Sequence, residues 1–345
     1  MKRMKALRYL GPEELRVEEV NMPQPGPGEV LIRVRACGIC GSDVHGYLGL
    51  TGRRIAPMTM GHEFCGEVAE LGPGAGKFAV GDLVIVQPIH FCGECANCRR
   101  GLTMLCLNKR FYGVLTVDGA MAEYVAVPEK LLYPLPENST PYTGALVEPY
   151  AVAYGAVEKA GDLTGQTVLI IGAGTIGACM LQLVKLKNPG RVIVSDLSSA
   201  RLETARKLGA DQVINPAKED FMEAVERVTD GEMIDTSIEC VGVQASANQS
   251  VKCLKVGGTA VWVGMSQKEM TINMQDIVCL ARKVLGSFNY THEEFGRVAE
   301  IVTSGRLATD LLVSRVVSLE QAAGLFPEIH SSPDAYLKVI IDPTL

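Results

Sequence analysis

FCGECANCRRGLTMLCL places Cys92, Cys95, Cys98 and Cys106 in a C-x2-C-x2-C-x7-C array. Four thiolates this close together suit a tetrahedral structural zinc with Zn–S bonds of about 2.3 Å, closed to water and chemically inert. An iron–sulfur cluster is the competing reading, but neither of the common ferredoxin spacings fits. Nearer the N-terminus, ACGICGSDVH (36–45) sets Cys37 and Cys40 three apart and follows them with Ser42, Asp43 and His45. A C-x-x-C pair alone is compatible with a redox dithiol, half of a zinc finger, or part of an active site. Cys37, Cys65, Cys179, Cys240, Cys253 and Cys279 lie in apolar contexts and are expected to be buried thiols. His90, His292 and His330 have no such company and are read as ordinary.

A second kind of chemistry is written in TVLIIGAGTIG, where Gly172, Gly174 and Gly177 follow an apolar run and open a helix-like one. G-x-G-x-x-G is weak by itself, but Asp196 stands at the end of the next strand-like run, close to the roughly 20-residue offset of a ribose-binding acid. Gly172 would make the tight turn, Gly174 would let the backbone approach a pyrophosphate, and Gly177 would let helix and strand pack closely. Phosphates favour a helix N-terminus, where free N–H groups and the macrodipole meet negative charge. The expected cofactor contacts are Gly172, Gly174, Thr175, Ile176 and Gly177, then Asp196, Arg201, Val241 and Gly264. An acid at the ribose would repel a 2′-phosphate, so NAD is expected over NADP.

These groups need elements to hold them. In EVLIRVRA (29–36), Val30, Ile32, Val34 and Ala36 alternate with Arg33 and Arg35, the period of a half-buried strand. Further strand-like runs (EFCGEVAEL, DLVIVQ, AEYVAV) recur to about residue 150, broken by Gly and Pro, so this half reads as all-β and loop-rich. After Pro149 the texture changes. TVLII, RVIVS and AVWVG alternate with helical segments, the first carrying Ile176, Met180, Leu183 and Val184 as one stripe, which predicts parallel strands covered on both faces. From about Leu307 short strand-like pieces return (LLVSRVVSL, YLKVIID) and are expected to pair back onto the first half.

At 345 residues and 47% hydrophobic, the chain can form two domains, each with a core. A net charge of −6 argues against a surface built for nucleic acid. There is no apolar leader and no run long enough to span a bilayer, so a soluble, unexported, cytoplasmic protein with no membrane partner is expected. Cysteines in that setting serve as metal ligands and buried thiols rather than as a disulfide framework.

Taken together, GICGSDVH, GHEFCGEVAELG (61–72), the four-cysteine lobe and GAGTIG resemble the zinc-dependent medium-chain dehydrogenases over essentially the whole chain. ALVEP (145–149) resembles the polyol branch, which includes sorbitol, galactitol-phosphate and butanediol dehydrogenases. The resemblance implies an α/β protein. A GroES-like β-rich catalytic domain would occupy 1–150 and 290–345 and carry the zinc lobe 92–106, a Rossmann NAD-binding domain would occupy 151–289, and a zinc site would lie in the cleft between them.

It further implies a catalytic zinc on Cys40, His62 and Glu63, with Glu148 where classical alcohol dehydrogenases carry a second cysteine, and so two zinc ions per chain. Two glutamates bound at once would make a poor Lewis acid, so one is expected inner-shell at a time while the other holds water or a substrate hydroxyl. Ser42 and His45 match the family's proton relay, with Glu148 as the third catalytic side chain, and Asp43 resembles the acid that orients ligand groups. Tyr47, Asn289 and Tyr290 fall at substrate positions. Asn289 stands where sorbitol enzymes often carry arginine, and GSFNY is more similar to galactitol-phosphate dehydrogenases. The implied activity is NAD-dependent oxidation of a secondary alcohol of a polyol, sugar alcohol or diol, by a homo-oligomer of two or four chains. A threonine-type amino-alcohol dehydrogenase, a zinc-free quinone or enoyl reductase and a non-enzymatic zinc redox sensor are the other readings.

Overall fold

The alternation in EVLIRVRA becomes the strand Glu29–Ile39, with Val30, Ile32, Val34 and Ala36 buried and Arg33 exposed, in a computed structural model that describes residues 2–345. The strand is central to a seven-stranded sheet. One edge pairs antiparallel with Glu63–Leu71; the other pairs with Tyr124–Pro128 along its first half and with Lys338–Ile341 along its end. Its inner face joins Phe64, Val84, Val127 and Ile341 in one apolar core, each such side chain contributing roughly 1.5–3 kcal/mol by leaving water. The late segment YLKVIID thus does pair back, as Val339 opposite Ile39 and Ile341 opposite Cys37.

The chain divides into two compact units, one formed by residues up to Glu148 with Thr291–Leu345, the other by Pro149–Tyr290. The expectation of an all-β first half needs correction, because helices occupy Gly41–Tyr47, Ala96–Arg99 and Pro141–Ala160. The last is buried along nearly its whole length and contains Pro149. A helix buried all round has no polar stripe to reveal its period, and an internal proline reads as a break. Helix Leu319–Ser331 likewise interrupts the strand-like tail, and helix His292–Thr303 precedes it; each is opened by a reciprocal cap, Ser318 with Gln321 and Thr291 with Glu294.

The second unit is a six-stranded sheet in the order Gln212–Ile214, Arg191–Ser195, Thr167–Ile171, Ile234–Glu239, Leu254–Trp262, Lys283–Gly286. Every pairing is parallel. In chain order this is 3-2-1-4-5-6, the doubly wound dinucleotide-binding arrangement, whose ligand crevice lies at the carboxyl ends of strands 1 and 4. The helix Thr175–Lys185 buries every residue from Gly177 to Val184, Gln182 included, so it is covered on all sides rather than along one stripe.

All eleven cysteines are free thiols. Two depart from the expectation of burial: Cys279 is exposed and Cys240 partly so. Cys279 follows the short helix Met274–Val278, which buries none of its own residues. Among the described residues no helix is long and apolar enough to cross a membrane.

Candidate metal centre and dinucleotide site

Three neighbouring strands deliver the first cluster to one end of the larger sheet. Cys40 directly follows Glu29–Ile39, Glu63 opens the adjacent strand opposite Gly38, and Lys338 opens the strand on the other side. A side chain at position 38 would lie 2.1 Å from a Glu63 carboxylate oxygen, so only glycine lets that carboxylate lie there. Gly61, at φ 100°, turns the chain into His62 against Cys37 and Met121. As a result donor atoms of Cys40, His62 and Glu63 lie within 4.8 Å of one another, with His62 and Glu63 buried. One sulfur, one imidazole nitrogen and one carboxylate oxygen form a donor set that zinc accepts, and the site fits that ion. Glu148 is buried on the helix Pro141–Ala160 and does not join the cluster.

The surroundings tune these donors. Cys40 caps the helix Gly41–Tyr47, its sulfur 3.5 Å from the Ser42 amide, while Asp43 Oδ2 accepts from the Cys40 amide at 3.1 Å. Asp43 Oδ1 lies 3.5 Å from His62 Nδ1 and accepts from Arg54 Nη2 at 2.7 Å. Burial alone would push the Asp43 carboxyl up, but the charges of His62 and Arg54 outweigh it and hold it well below the usual carboxylate range. Burial disfavours a protonated His62, yet Asp43 and Cys40 raise its pKa well above the ordinary value. With Nδ1 facing Asp43, Nε2 is the nitrogen left for a ligand bond, the usual division of labour when a carboxylate backs a metal-binding histidine. The ring packs edge-on to Phe111 at 5.5 Å. Ser42 and His45 are both exposed on the short helix, three residues apart and so on one face.

Glu63 has a partner that sequence reasoning missed. Lys338 Nζ donates to both its oxygens, at 2.8 and 2.6 Å, and to the Ile39 carbonyl at 3.0 Å, with both side chains about 2% exposed. Arg54 was missed too. The only signal for Lys338 is a lysine inside the apolar strand YLKVII; for Arg54 there is none.

In the lobe, the sulfurs of Cys92, Cys95, Cys98 and Cys106 also lie within 4.8 Å of one another. The contacts Cys92–Cys106, Cys92–Cys98 and Cys95–Cys106 measure 3.5, 3.9 and 4.0 Å, close to the ~3.8 Å edge of a tetrahedron with 2.3 Å bonds. Backbone N–H groups point at the sulfurs: Cys92 N to Cys106, Cys95 N to Cys92, Asn108 N to Cys106. Such bonds lower the pKa of Cys92 and bring that of Cys95 to about 6, while burial pushes the Cys98 thiol up to about 12. The geometry fits a structural zinc.

The glycine turn behaves as its spacing suggests. Gly172 has φ 100°; a Cβ on Gly177 would lie 1.8 Å from the Gly172 carbonyl oxygen; a Cβ on Gly174 would meet nothing nearer than Arg201 Nη1 at 3.9 Å. Thr175 and Ile176 begin the helix, so their amides face the turn. Asp196 accepts from Ala173 N at 2.7 Å and from Ser198 N at 2.8 Å, which fixes its carboxylate beside the turn. After the fourth strand, Val241 is partly exposed against Gly172, and Gly264 meets Gly242 with no room for a side chain. Buried Glu239 holds this second loop through the amides of Val241 and Gly242, both at 2.8 Å. An acid at a strand end before glycine was its signal in the sequence.

The expected substrate positions divide. Tyr47 is buried and packs on Phe326 at 5.5 Å, and Tyr290 is fully buried, so neither presents a surface to a ligand. Asn289 is partly exposed, at φ 51°, with its carbonyl against Gly155.

Residues 26–137 match the alcohol dehydrogenase GroES-like domain and residues 175–304 the zinc-binding dehydrogenase family. The chain is 37% identical to an L-threonine 3-dehydrogenase of Pyrococcus horikoshii over 86% of each chain. It is 32% identical to a sorbitol dehydrogenase of Bacillus subtilis, covering 99% of this chain and 97% of that one. A structure described as a zinc-binding dehydrogenase from Sinorhizobium meliloti 1021 bound to NADP superposes with a TM-score of 0.92 at 36% identity, covering 99% and 100%. The chain belongs to the zinc-dependent medium-chain alcohol and polyol dehydrogenase family and is an oxidoreductase.

Proposed function

We propose that this protein oxidises a secondary alcohol of a polyol, sugar alcohol or diol to the ketone, with NAD as hydride acceptor and one zinc in each donor cluster. The observation that carries the reading is the meeting of Cys40, His62 and Glu63 beside a short helix that exposes Ser42 and His45 on one face. Zinc among those three donors would supply Lewis acidity toward a substrate oxygen. Asp43 holds the imidazole in place, and Lys338 offsets the charge of Glu63, so the carboxylate does not cancel the charge of the ion. Buried Glu148 is then left to hold water or a substrate hydroxyl. Ser42 would accept the alcohol proton as it gives up its own toward His45, and NAD, when bound at the glycine turn, would supply the hydride acceptor.

Asp196 supports NAD, since its carboxylate, fixed beside the turn, would accept from ribose hydroxyls and oppose a 2′-phosphate. Asn289 is the remaining candidate for substrate contact. Self-association is part of the proposal, because the six-stranded sheet ends at the strand Lys283–Gly286. A second reading, oxidation of an amino alcohol, is favoured by the likeness to a threonine dehydrogenase.

The test is a reduction screen with NAD and NADP over polyols, sugar phosphates, diols and L-threonine, with metal counted per chain. Turnover on a polyol or diol with NAD and two zincs is expected. Faster turnover of L-threonine would replace the substrate class, and equal efficiency with NADP would remove the role of Asp196.

A further inference from the structure

Arg54 lies on no motif, yet its side chain is 2% exposed and reaches the relay helix. One nitrogen, Nη2, donates to Asp43 Oδ1 at 2.7 Å and to Ser42 Oγ at 3.2 Å, while Nη1 donates to the Arg53 carbonyl at 3.3 Å. The helix is shaped for this crossing: a Cβ on Gly46 would lie 2.4 Å from Arg54 Cγ. The backbone beneath is held against Leu115, whose amide donates to the Arg53 carbonyl at 2.8 Å and whose carbonyl accepts from Ile55 at 3.2 Å.

We propose that Arg54 is a positioning residue for proton transfer, setting the direction in which the Ser42 hydroxyl points. The inference rests on the Ser42 relay proposed above. A serine hydroxyl has one hydrogen and two acceptor positions and rotates to suit its partners, whereas a guanidinium only donates and stays charged. Nη2 occupies one acceptor position, so the hydroxyl hydrogen cannot point at Arg54 and turns to the exposed side of the helix. One acceptor position remains for the proton of an alcohol. The oxygen then takes the alcohol proton as it releases its own on the exposed side. Buried Asp43, which accepts from the same Nη2, balances the charge of Arg54 and makes the arrangement tolerable.

The experiment is a double-mutant cycle of Ser42→Ala and Arg54→Gln in the full-length enzyme, reading kcat, the solvent deuterium isotope effect and bound metal. Each single change is expected to lower kcat on the order of tenfold or more, within the range of acid–base catalysis. The double variant should be no slower than Ser42→Ala, because groups that act as a unit are not additive. Arg54→Gln should raise the isotope effect, leave the metal content unchanged, and be partly rescued by Arg54→Lys. Costs that multiply in the double variant, or a loss of metal matching the loss of rate, would overturn the inference while leaving the relay intact. An unchanged kcat in Ser42→Ala would remove the relay itself. Should Arg54→Gln fail to fold, Gly46→Ala, which displaces the arginine without deleting it, takes its place in the same cycle and is read the same way.

Discussion

Lys338 brings a positive charge into a place with almost no water, and its contacts with Glu63 and the Ile39 carbonyl help make that charge tolerable. Breaking a buried pair by removing one partner typically costs about 3–5 kcal/mol, since the other charge is left stranded. Lys338→Met is therefore expected to lower stability by that order and Lys338→Arg by much less, as read by urea unfolding followed by circular dichroism. Adding Glu63→Gln to Lys338→Met should cost less than the sum of the two. A Lys338→Met protein as stable as the parent would mean that the carboxylate has another partner. This residue also shows where the sequence stops being legible. The candidate donors in ACGICGSDVH and GHEF are legible through the family resemblance, which short, glycine-marked stretches carry. The counter-ion comes from a strand 275 positions away, and no local pattern announces it.

Strands proved more readable than helices. Thr167–Ile171 and Arg191–Ser195 fall where apolar runs predict them, because strands covered on both faces need little but apolar residues. Pro141–Ala160 went unread because its burial erased the pattern that would reveal it. The helix His292–Thr303 was hidden behind a histidine taken as ordinary. His292 in fact ties that helix to its surroundings: Nδ1 lies 2.5 Å from Gln87 Oε1 and 2.9 Å from Tyr133 Oη, and its amide donates to Thr103 Oγ1 at 2.9 Å. Burial, then Lys130 and Lys77, lower its pKa. A histidine kept neutral by folding lets the unfolded chain take up the proton first. Its contribution is complete above about pH 6.5 and is lost as pH falls from there through the lower folded value. His292→Gln should flatten the acid side of the stability profile, measured as urea midpoints from about pH 7 to 5. A slope equal to the parent's would assign the acid sensitivity to other groups.

At the scale of the whole molecule, the parallel sheet and its glycine turn were foreseeable, since the strand, turn, helix and acid follow one another within a single stretch of chain. The apolar side chains near its open edge were not. On the second unit, Val256, Met265, Met274, Val278 and Leu285 are all exposed, Leu285 on the terminal strand of the sheet. An open strand edge with apolar neighbours invites another strand, and a charge placed there discourages it. If the edge carries self-association, Leu285→Lys should shift sedimentation toward a smaller species while NAD binding persists; an unchanged sedimentation coefficient would place the contact elsewhere. The larger sheet has a different consequence, one of timing. Its metal-side corner is assembled from residues translated far apart: Cys40 and Glu63 leave the ribosome early, and the strand carrying Lys338 emerges only after the entire parallel-sheet unit has been made. Domains tend to fold as they emerge. The nascent chain would therefore hold a finished nucleotide-binding half while the half that carries the chemistry still waited for its last strand, leaving an acidic cluster exposed to cellular metals before its counter-ion arrives.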